Sequence, residues 1–265
     1  RYMIAIAVTS IIMACEKVVT INVKSTANAV VVQANITNID DHQVVKLEHT
    51  ANYYDSNVFS PITGAKVFLS DNSGFSENLT ENANGIYTSI NLKGTPGKTY
   101  QLRIEYNANV YQSEAQMPFT IPIDSLLIIP RPARFNGQQN GYSVICKFKD
   151  PIGLGNYYRV NINSTDTAAL NGRNSRILSD KYSDGDEMSV TFRTQLSVND
   201  TVFIQLHAIP KSTYDFFNTL SNAQGEVGAG QFLSSLPANP TNNVSNNAYG
   251  YFSAYAVTSN STVVK

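Results

Sequence analysis

Tryptophan is absent from the 265 residues, cysteine occurs twice and histidine three times. Charge is sparse as well: 19 basic and 20 acidic residues make up 15% of the chain and nearly cancel. Each shortage excludes something. Two cysteines cannot build a disulfide framework or a cysteine zinc site. A chain without a basic excess or stripe cannot neutralise a run of phosphates, which argues against a nucleic-acid partner. Without tryptophan, any flat aromatic contact surface must come from the 15 tyrosines and 12 phenylalanines. No stretch after the first residues approaches the roughly twenty apolar residues that a helix needs to cross a bilayer.

Catalytic signatures are missing too. No Gly-x-Ser-x-Gly elbow, His-Glu-x-x-His helix or phosphate-cradling glycine loop occurs. His42 and His49 fall on opposite faces of an extended segment, a poor start for shared metal ligation, and His207 sits on the polar side of its strand. Asp184, Asp186 and Glu187 in YSDGDEMSV offer too few spaced oxygens for an EF-hand calcium loop. Asp184-Gly185 reads more simply as a hairpin turn. No cofactor and no metal is implied. A pair of carboxylates brought together across the fold for glycoside cleavage stays open, because such pairing is invisible in sequence.

What is present begins with an address. Met3 to Ala14 are almost wholly apolar, broken by Thr9 and Ser10, and end at Cys15. That span suits a signal-peptide core and is too short for a membrane-spanning helix. Ile12-Met13-Ala14-Cys15 resembles a bacterial lipobox, in which the cysteine sulfur receives a diacylglycerol and the leader is cut before it. Residues 1–14 are then a lipoprotein signal peptide and 15–24 a lipidated start and tether. Each buried methylene of the lipid strengthens attachment by about 0.8 kcal/mol, and two or more chains anchor stably. Glu16 after the cysteine, where an aspartate favours inner-membrane retention, leans towards the outer membrane. The other cysteine, Cys146, alternates with Tyr142, Val144 and Phe148 and reads as a small buried strand residue.

The dominant pattern has period two. TYQLRIEYNA turns Tyr100, Leu102, Ile104 and Tyr106 one way and Gln101, Arg103 and Glu105 the other. Ala65, Val67 and Leu69 alternate likewise, as do Met188, Val190 and Phe192, and Val202, Ile204 and Leu206. Asp71-Asn72-Ser73-Gly74, Asn84-Gly85, Thr95-Pro96-Gly97, Asn140-Gly141 and Asp184-Gly185 punctuate these runs as turns. Many short strands of this kind predict a mainly β protein, with β-sandwich domains. One segment changes period: Tyr214, Phe217 and Leu220 share a helical face, Ser212 is placed to cap it and Gly225 to end it, which predicts one short helix over 212–223 packed on a sheet. Pro118, Pro122, Pro130 and Pro132 mark a break, since proline lacks the ladder N–H. The chain therefore divides into a sandwich over 25–122 and a C-terminal β-domain with one helix over 123–265. SSLPANPTNNVSNNAYG reads as a long loop before a last strand, YFSAYAV.

Tyrosines are the remaining candidates for contact. Tyr53-Tyr54 and Tyr157-Tyr158 put neighbouring rings on opposite faces, and Tyr249, Tyr251, Phe252 and Tyr255 crowd the last strand. Tyr54, Tyr158, Tyr251 and Tyr255 are the candidate ligand or partner contacts, with core filling as the plainer reading.

Two sets of residues carry a resemblance. PITGAKVFLSDNSGFSENLTENANGIYTSINLKGTPGKTYQLRIEY resembles a transthyretin-like or carboxypeptidase-regulatory-like β-sandwich, through Gly64-Ala65 before a strand, Gly85-Ile86-Tyr87 and Gly97 to Leu102. The chain as a whole resembles the Bacteroidetes lipoprotein family of domain of unknown function 4249. The likeness rests on Cys15-Glu16-Lys17, Ala51 to Tyr54, Met117-Pro118, Ile123-Asp124-Ser125, Tyr157-Tyr158, Tyr214 with Leu220, Pro240 to Asn243 and Gly250 to Tyr255. Asn246-Asn247-Ala248-Tyr249-Gly250 stands where the family favours a more glycine-rich loop. The resemblance implies an outer-membrane, often surface-facing, lipoprotein associated with TonB-dependent transporters. The expectation is a lipid-anchored, non-enzymatic binding or accessory protein held to the membrane through Cys15, with a transporter, glycan or peptide as partner. A surface adhesin or glycan-binding module is the alternative, and a hydrolase with a scattered site the third reading.

Overall fold

Alternation becomes strand wherever the inward positions are apolar. The computed structural model describes residues 28–40, 42–51, 59–132, 141–170, 174–223 and 239–265. The residues expected to form a leader and a tether, Cys15 among them, and Tyr53-Tyr54 lie outside the described residues. Eight strands form the first half: β1 (Val30–Thr37), β2 (Val44–His49), β3 (Lys66–Asp71), β4 (Ser76–Asn78), β5 (Thr80–Ala83), β6 (Ile86–Thr88), β7 (Thr99–Tyr106) and β8 (Asn109–Gln116). Then come β9 (Ser125–Pro130), β10 (Tyr142–Lys149), β11 (Tyr157–Ser164), β12 (Ser175–Ser179), β13 (Glu187–Arg193), β14 (Thr201–Ile209), helix α1 (Lys211–Ala223) and β15 (Tyr249–Val263). The protein is mainly β with one α-helix among the described residues.

The strands form three sheets. An eight-stranded sheet has the order β12-β11-β14-β15-β1-β2-β6-β5, a four-stranded one β4-β3-β7-β8, and a three-stranded one β13-β10-β9. The inner face of the large sheet carries two cores. The first gathers Val32, Ala34, Leu47 and Tyr87 with Val67, Leu69, Tyr100, Leu102 and Ile104 of the four-stranded sheet. The second gathers Tyr158, Val160, Ile204 and Leu206 with Val144, Cys146, Phe148, Val190 and Phe192 of the three-stranded sheet. Burying one face of each strand this way follows directly from the period-two pattern.

The cores part between Met117 and Ile121, beside Pro118 and close to the expected division at 122. The large sheet, however, does not divide there. Strand β15 pairs antiparallel with β14 of the second half and in parallel with β1 of the first, placing Phe252, Ala254 and Ala256 in the first core, while Val264, the residue just after the strand, lies in the second. Residues 123–265 are therefore not confined to one side of the boundary, because a fifteen-residue strand is long enough to serve both cores. Gly250 makes the parallel pairing possible: its φ is +93°, and a Cβ there would overlap the Val32 carbonyl.

Two local expectations change. The proline-marked break is not irregular throughout, since Ser125–Pro130 pairs with β10 as the edge of the small sheet. Proline is tolerated there because an edge strand has one unpaired side. The helix starts at Lys211, so Ser212 lies inside it instead of capping it. The carbonyl of Pro210 accepts the amides of Thr213 and Tyr214, both at 3.1 Å, and Asp215 pairs with Lys211 at 2.6 Å.

Candidate functional site

The outer face of the large sheet is where unusual side chains converge. Cross-strand register sets Asn161 beside Gln205 and Gln205 beside Ser259. One step along, it sets Arg159 beside His207 and His207 beside Val257. Alternation puts Tyr251, Ser253 and Tyr255 of β15 on this same face. Helix α1 lies across it, against β15, β11 and β12. Thr213, the one fully buried residue of the helix, donates its hydroxyl to Ser253 at 2.8 Å. Phe216 and Phe217 pack on the Tyr251 ring with centroids 4.7 and 5.2 Å away, and Tyr214 packs on Tyr157 at 4.9 Å. The aromatic stripe thus seats the helix on the outside of the sheet, apart from both cores.

Asn243 fixes the entry to β15 and ties it to the helix. Its Nδ2 donates to the Phe252 carbonyl at 2.8 Å and lies 3.3 Å from Ser212 Oγ, while its Oδ1 accepts the Phe252 amide at 2.9 Å. One side-chain amide here stands in for a neighbouring strand.

Beyond the helix the face opens into a groove of about 850 Å³, lined by Arg159, Asn161, Asn163, Asn174, Ser175, Phe203, Gln205, Ser259, Asn260 and Ser261, with the buried Ile162 and Ile204 between them. Its walls are amides and hydroxyls, with one half-exposed ring, Phe203. Arg159 stands at the helix end of this row. Its Nε donates to Ser175 Oγ at 2.9 Å, and its guanidinium carbon lies 4.1 Å from the centre of the Phe217 ring. Burial holds its pKa below the ordinary arginine value, opposed by the nearby Tyr251 and Tyr255 phenols. Among the described residues no carboxylate is ion-paired with it.

His207 is on the outer face, as its alternation predicts, but it is not solvated. Tyr255 stacks on it at 4.7 Å, and only 7% of it remains exposed. Burial, with the Arg159 charge beside it, pushes its pKa down to about 4, so the ring is neutral near pH 7. Burial also pushes the Tyr255 phenol up to about 12. His42 precedes β2 and contacts the Ser89 carbonyl, whereas His49 ends β2 near Tyr106, so the two do not form a metal pair.

Tyr251 and Tyr255 therefore lie together at the candidate site. Tyr158 does not: it is 1% exposed, stacks edge-on against Phe148 in the second core, and donates its hydroxyl to Asp150. Of the Tyr157-Tyr158 pair, the outward ring is Tyr157, because β11 turns its odd positions to the helix. Tyr54 and Cys15 lie outside the described residues. Arg159, Asn161, Gln205 and Phe203 were not singled out in the sequence, although alternating Arg159-x-Asn161-x-Asn163 marks an amide-rich strand face.

A second cluster forms at one end of the second core. Carboxylate oxygens of Asp150, Asp180 and Asp184 lie within 4.8 Å of one another, and among the described residues this is the group that could hold a cation. Their oxygens are already engaged. Asp180 accepts the amides of Gly155 and Asn156 at 2.8 and 2.9 Å, Asp150 the amide of Gly185 at 3.0 Å, and Asp184 the amide of Gly153 at 2.6 Å. They act as clasps between two loops. Of the acidic trio grouped in the sequence, only Asp184 joins, since Glu187 pairs with Lys147 at 2.7 Å. The clasped loops hold out Ile152, Leu154 and Tyr182, which are 91%, 70% and 89% exposed.

The arrangement is that of a multi-sheet β protein with an open, polar sheet face beside a helix-capped aromatic cluster. The chain belongs to the family described as domain of unknown function (DUF4249), which matches residues 16–261. Solved structures similar over part of the chain include two that follow. One is a biofilm-associated protein BSP domain, at 13% identity and a TM-score of 0.23 over 67% of this chain and 27% of that one. The other is the Yersinia pseudotuberculosis adhesin InvE, at 18% identity and a TM-score of 0.23 over 68% and 56%. This chain thus spans about a quarter and just over half of those two chains. No curated protein matches it.

Proposed function

We propose that the protein is a lipid-anchored, non-enzymatic binding protein of the outer membrane, facing the cell surface and presenting the outer face of its large sheet to a ligand. The observation that carries the reading is the groove of about 850 Å³ whose lining is dominated by amides and hydroxyls, with Phe203 exposed among them. Such a surface offers paired donors and acceptors and one stacking ring, which suits a hydroxyl-rich chain such as a glycan. The Ile12-Met13-Ala14-Cys15 box supports anchoring through Cys15 and a Bacteroidetes lipoprotein origin, and the alternation over 61–106 supports a transthyretin-like first sandwich. Two measurements test the reading. Mass spectrometry of the membrane-extracted protein should find an acylated Cys15 at the mature amino terminus. A glycan array probed with the full chain should give binding that is lost in the Asn161→Ala, Gln205→Ala double variant, with bound glycans recovered uncleaved. An array without binding, or cleaved glycans, overturns it.

The exposed Ile152, Leu154 and Tyr182 favour a second role on the same molecule, contact with a TonB-dependent transporter. Apolar side chains held out by clasped loops are what a protein partner covers. Pull-down from native membranes should recover the transporter with the parent chain and not with Ile152→Ser, Leu154→Ser; recovery with neither refutes the association.

A further inference from the structure

We infer that Arg159 anchors the carboxylate of an acidic oligosaccharide lying along this groove, an assignment that rests on the binding role proposed above. The guanidinium is fixed in two directions. Its Nε edge is committed to Ser175 Oγ at 2.9 Å, and its central carbon sits over the Phe217 ring, 4.1 Å from the centre. What such a pose leaves for a ligand is the Nη fork, whose parallel N–H groups match the two oxygens of a carboxylate. A lysine in this place would offer a point charge and no such selection.

Charge balance points the same way. Arg159 is half-buried, and a partly desolvated cation is costly unless an anion answers it. The groups facing it are neutral: the Tyr251 and Tyr255 phenols, the Phe217 ring and the uncharged His207. Lys211 and Asp215 of α1 satisfy each other at 2.6 Å. The site therefore holds one positive charge with no protein counter-charge among the described residues, next to a row of neutral amides and hydroxyls. A polyphosphate or a strongly acidic peptide would need more cations than this. A chain of sugar hydroxyls with a carboxylate at one residue needs one cation, hydrogen-bonding partners such as Asn161, Gln205 and Ser259, and a ring such as Phe203 to stack on.

The test is an array and titration with matched glycans: uronic- and sialic-acid oligosaccharides, their methyl esters, and sulfated counterparts, each against the full chain. The carboxylated form should bind at least about tenfold more tightly than its ester, as expected for hydrogen bonds to a charged acceptor. Arg159→Met should erase that difference while leaving the weaker, ester-level binding in place. Arg159→Lys should restore only part of it, because the fork is gone. Thermal unfolding of the same variants separates a packing role: a purely structural Arg159 would lower the melting temperature and weaken acid and ester binding alike. Equal affinity for acid and ester, or binding of sulfated forms alone, overturns the assignment and leaves the binding role standing. Absence of any glycan binding overturns both.

Discussion

Replacing Gly250 with alanine probes whether the parallel pairing of β1 and β15 joins the two cores. Gly250 has a φ of +93°. Left-handed backbone costs an L-residue about 1–2 kcal/mol. Alanine also narrows the unfolded ensemble, which works the other way by about 0.4–1 kcal/mol. Those two effects nearly offset, so the packing decides. A Cβ on residue 250 would overlap the Val32 carbonyl oxygen and lie 2.9 and 3.0 Å from the Val32 carbonyl carbon and amide nitrogen. All three are backbone atoms of a residue with no exposure, in a strand paired on both sides. They cannot swing aside as a side chain would. Relief requires β1 and β15 to move apart, and each ladder hydrogen bond given up costs about 1 kcal/mol. The expected loss is about 3 kcal/mol or more, placing it among the severe single substitutions. Urea unfolding followed by hydrogen exchange at β7 and at β10 reads the loss in each core separately. Both should drop together, because β15 contributes to both. A loss below about 1 kcal/mol would refute the close approach, judged against the magnitudes just given. Two separate transitions would refute the coupling.

Acid should destabilise the protein through His207. Its folded pKa of about 4 lies below the ordinary histidine value of 6.5, so as pH falls the unfolded chain takes up the proton first. Stability is complete above about pH 6.5 and declines towards pH 4, by about 3 kcal/mol in full. Unfolding free energies measured across that window should show the slope, and His207→Gln should flatten it. Ala108→Gly should stabilise: Asn107 and Ala108 turn the β7–β8 hairpin with φ of +47° and +60°, and relieving the alanine outweighs the added chain entropy by up to about 1 kcal/mol. The melting temperature should rise by about 2–4 °C per kcal/mol gained, and a fall would contradict the left-handed turn. Asn243→Ala removes both bonds to the Phe252 backbone and should cost about 2 kcal/mol, with faster exchange at the Phe252 amide as the readout.

Strands were legible where inward positions are large. Val67 and Leu69, or Met188, Val190 and Phe192, announce themselves by contrast with polar neighbours, and each proves buried. Strand β8 is quieter, since it turns Tyr111, Ser113 and Ala115 inward, and the small residues carry little hydropathy. Strand β9 was hidden by the prolines around it and by Pro130 at its end, which on an edge does no harm. The partner of β15 could not be read at all. Pairing β1 with a strand more than 200 positions later depends on where chain ends meet in space, and local alternation is the same whether the neighbour is parallel or antiparallel. The cap of α1 was misread for a related reason: Ser212 has the right chemistry, but Pro210 supplies the first helical carbonyl two residues earlier and the helix starts ahead of the serine.

The candidate site shows how far residue type alone can go. Tyr251 and Tyr255, crowded with other rings in the last strand, fall on the outer face together, because they are an even number of positions apart and Phe252, Ala254 and Ala256 take the inner side. Tyr158 failed by the same rule applied one residue out of phase, since a single step along β11 exchanges core for surface. Arg159 carried no sequence signal, being one of many exposed-type residues on an alternating strand. Its significance is set by three neighbours from three other elements: Ser175 of β12, Phe217 of α1 and the uncharged His207 of β14. Together they orient a guanidinium and deny it a counter-charge. A binding residue of this kind is defined by what surrounds it in space, and that is the reason its chemistry emerges only once the sheet has been assembled.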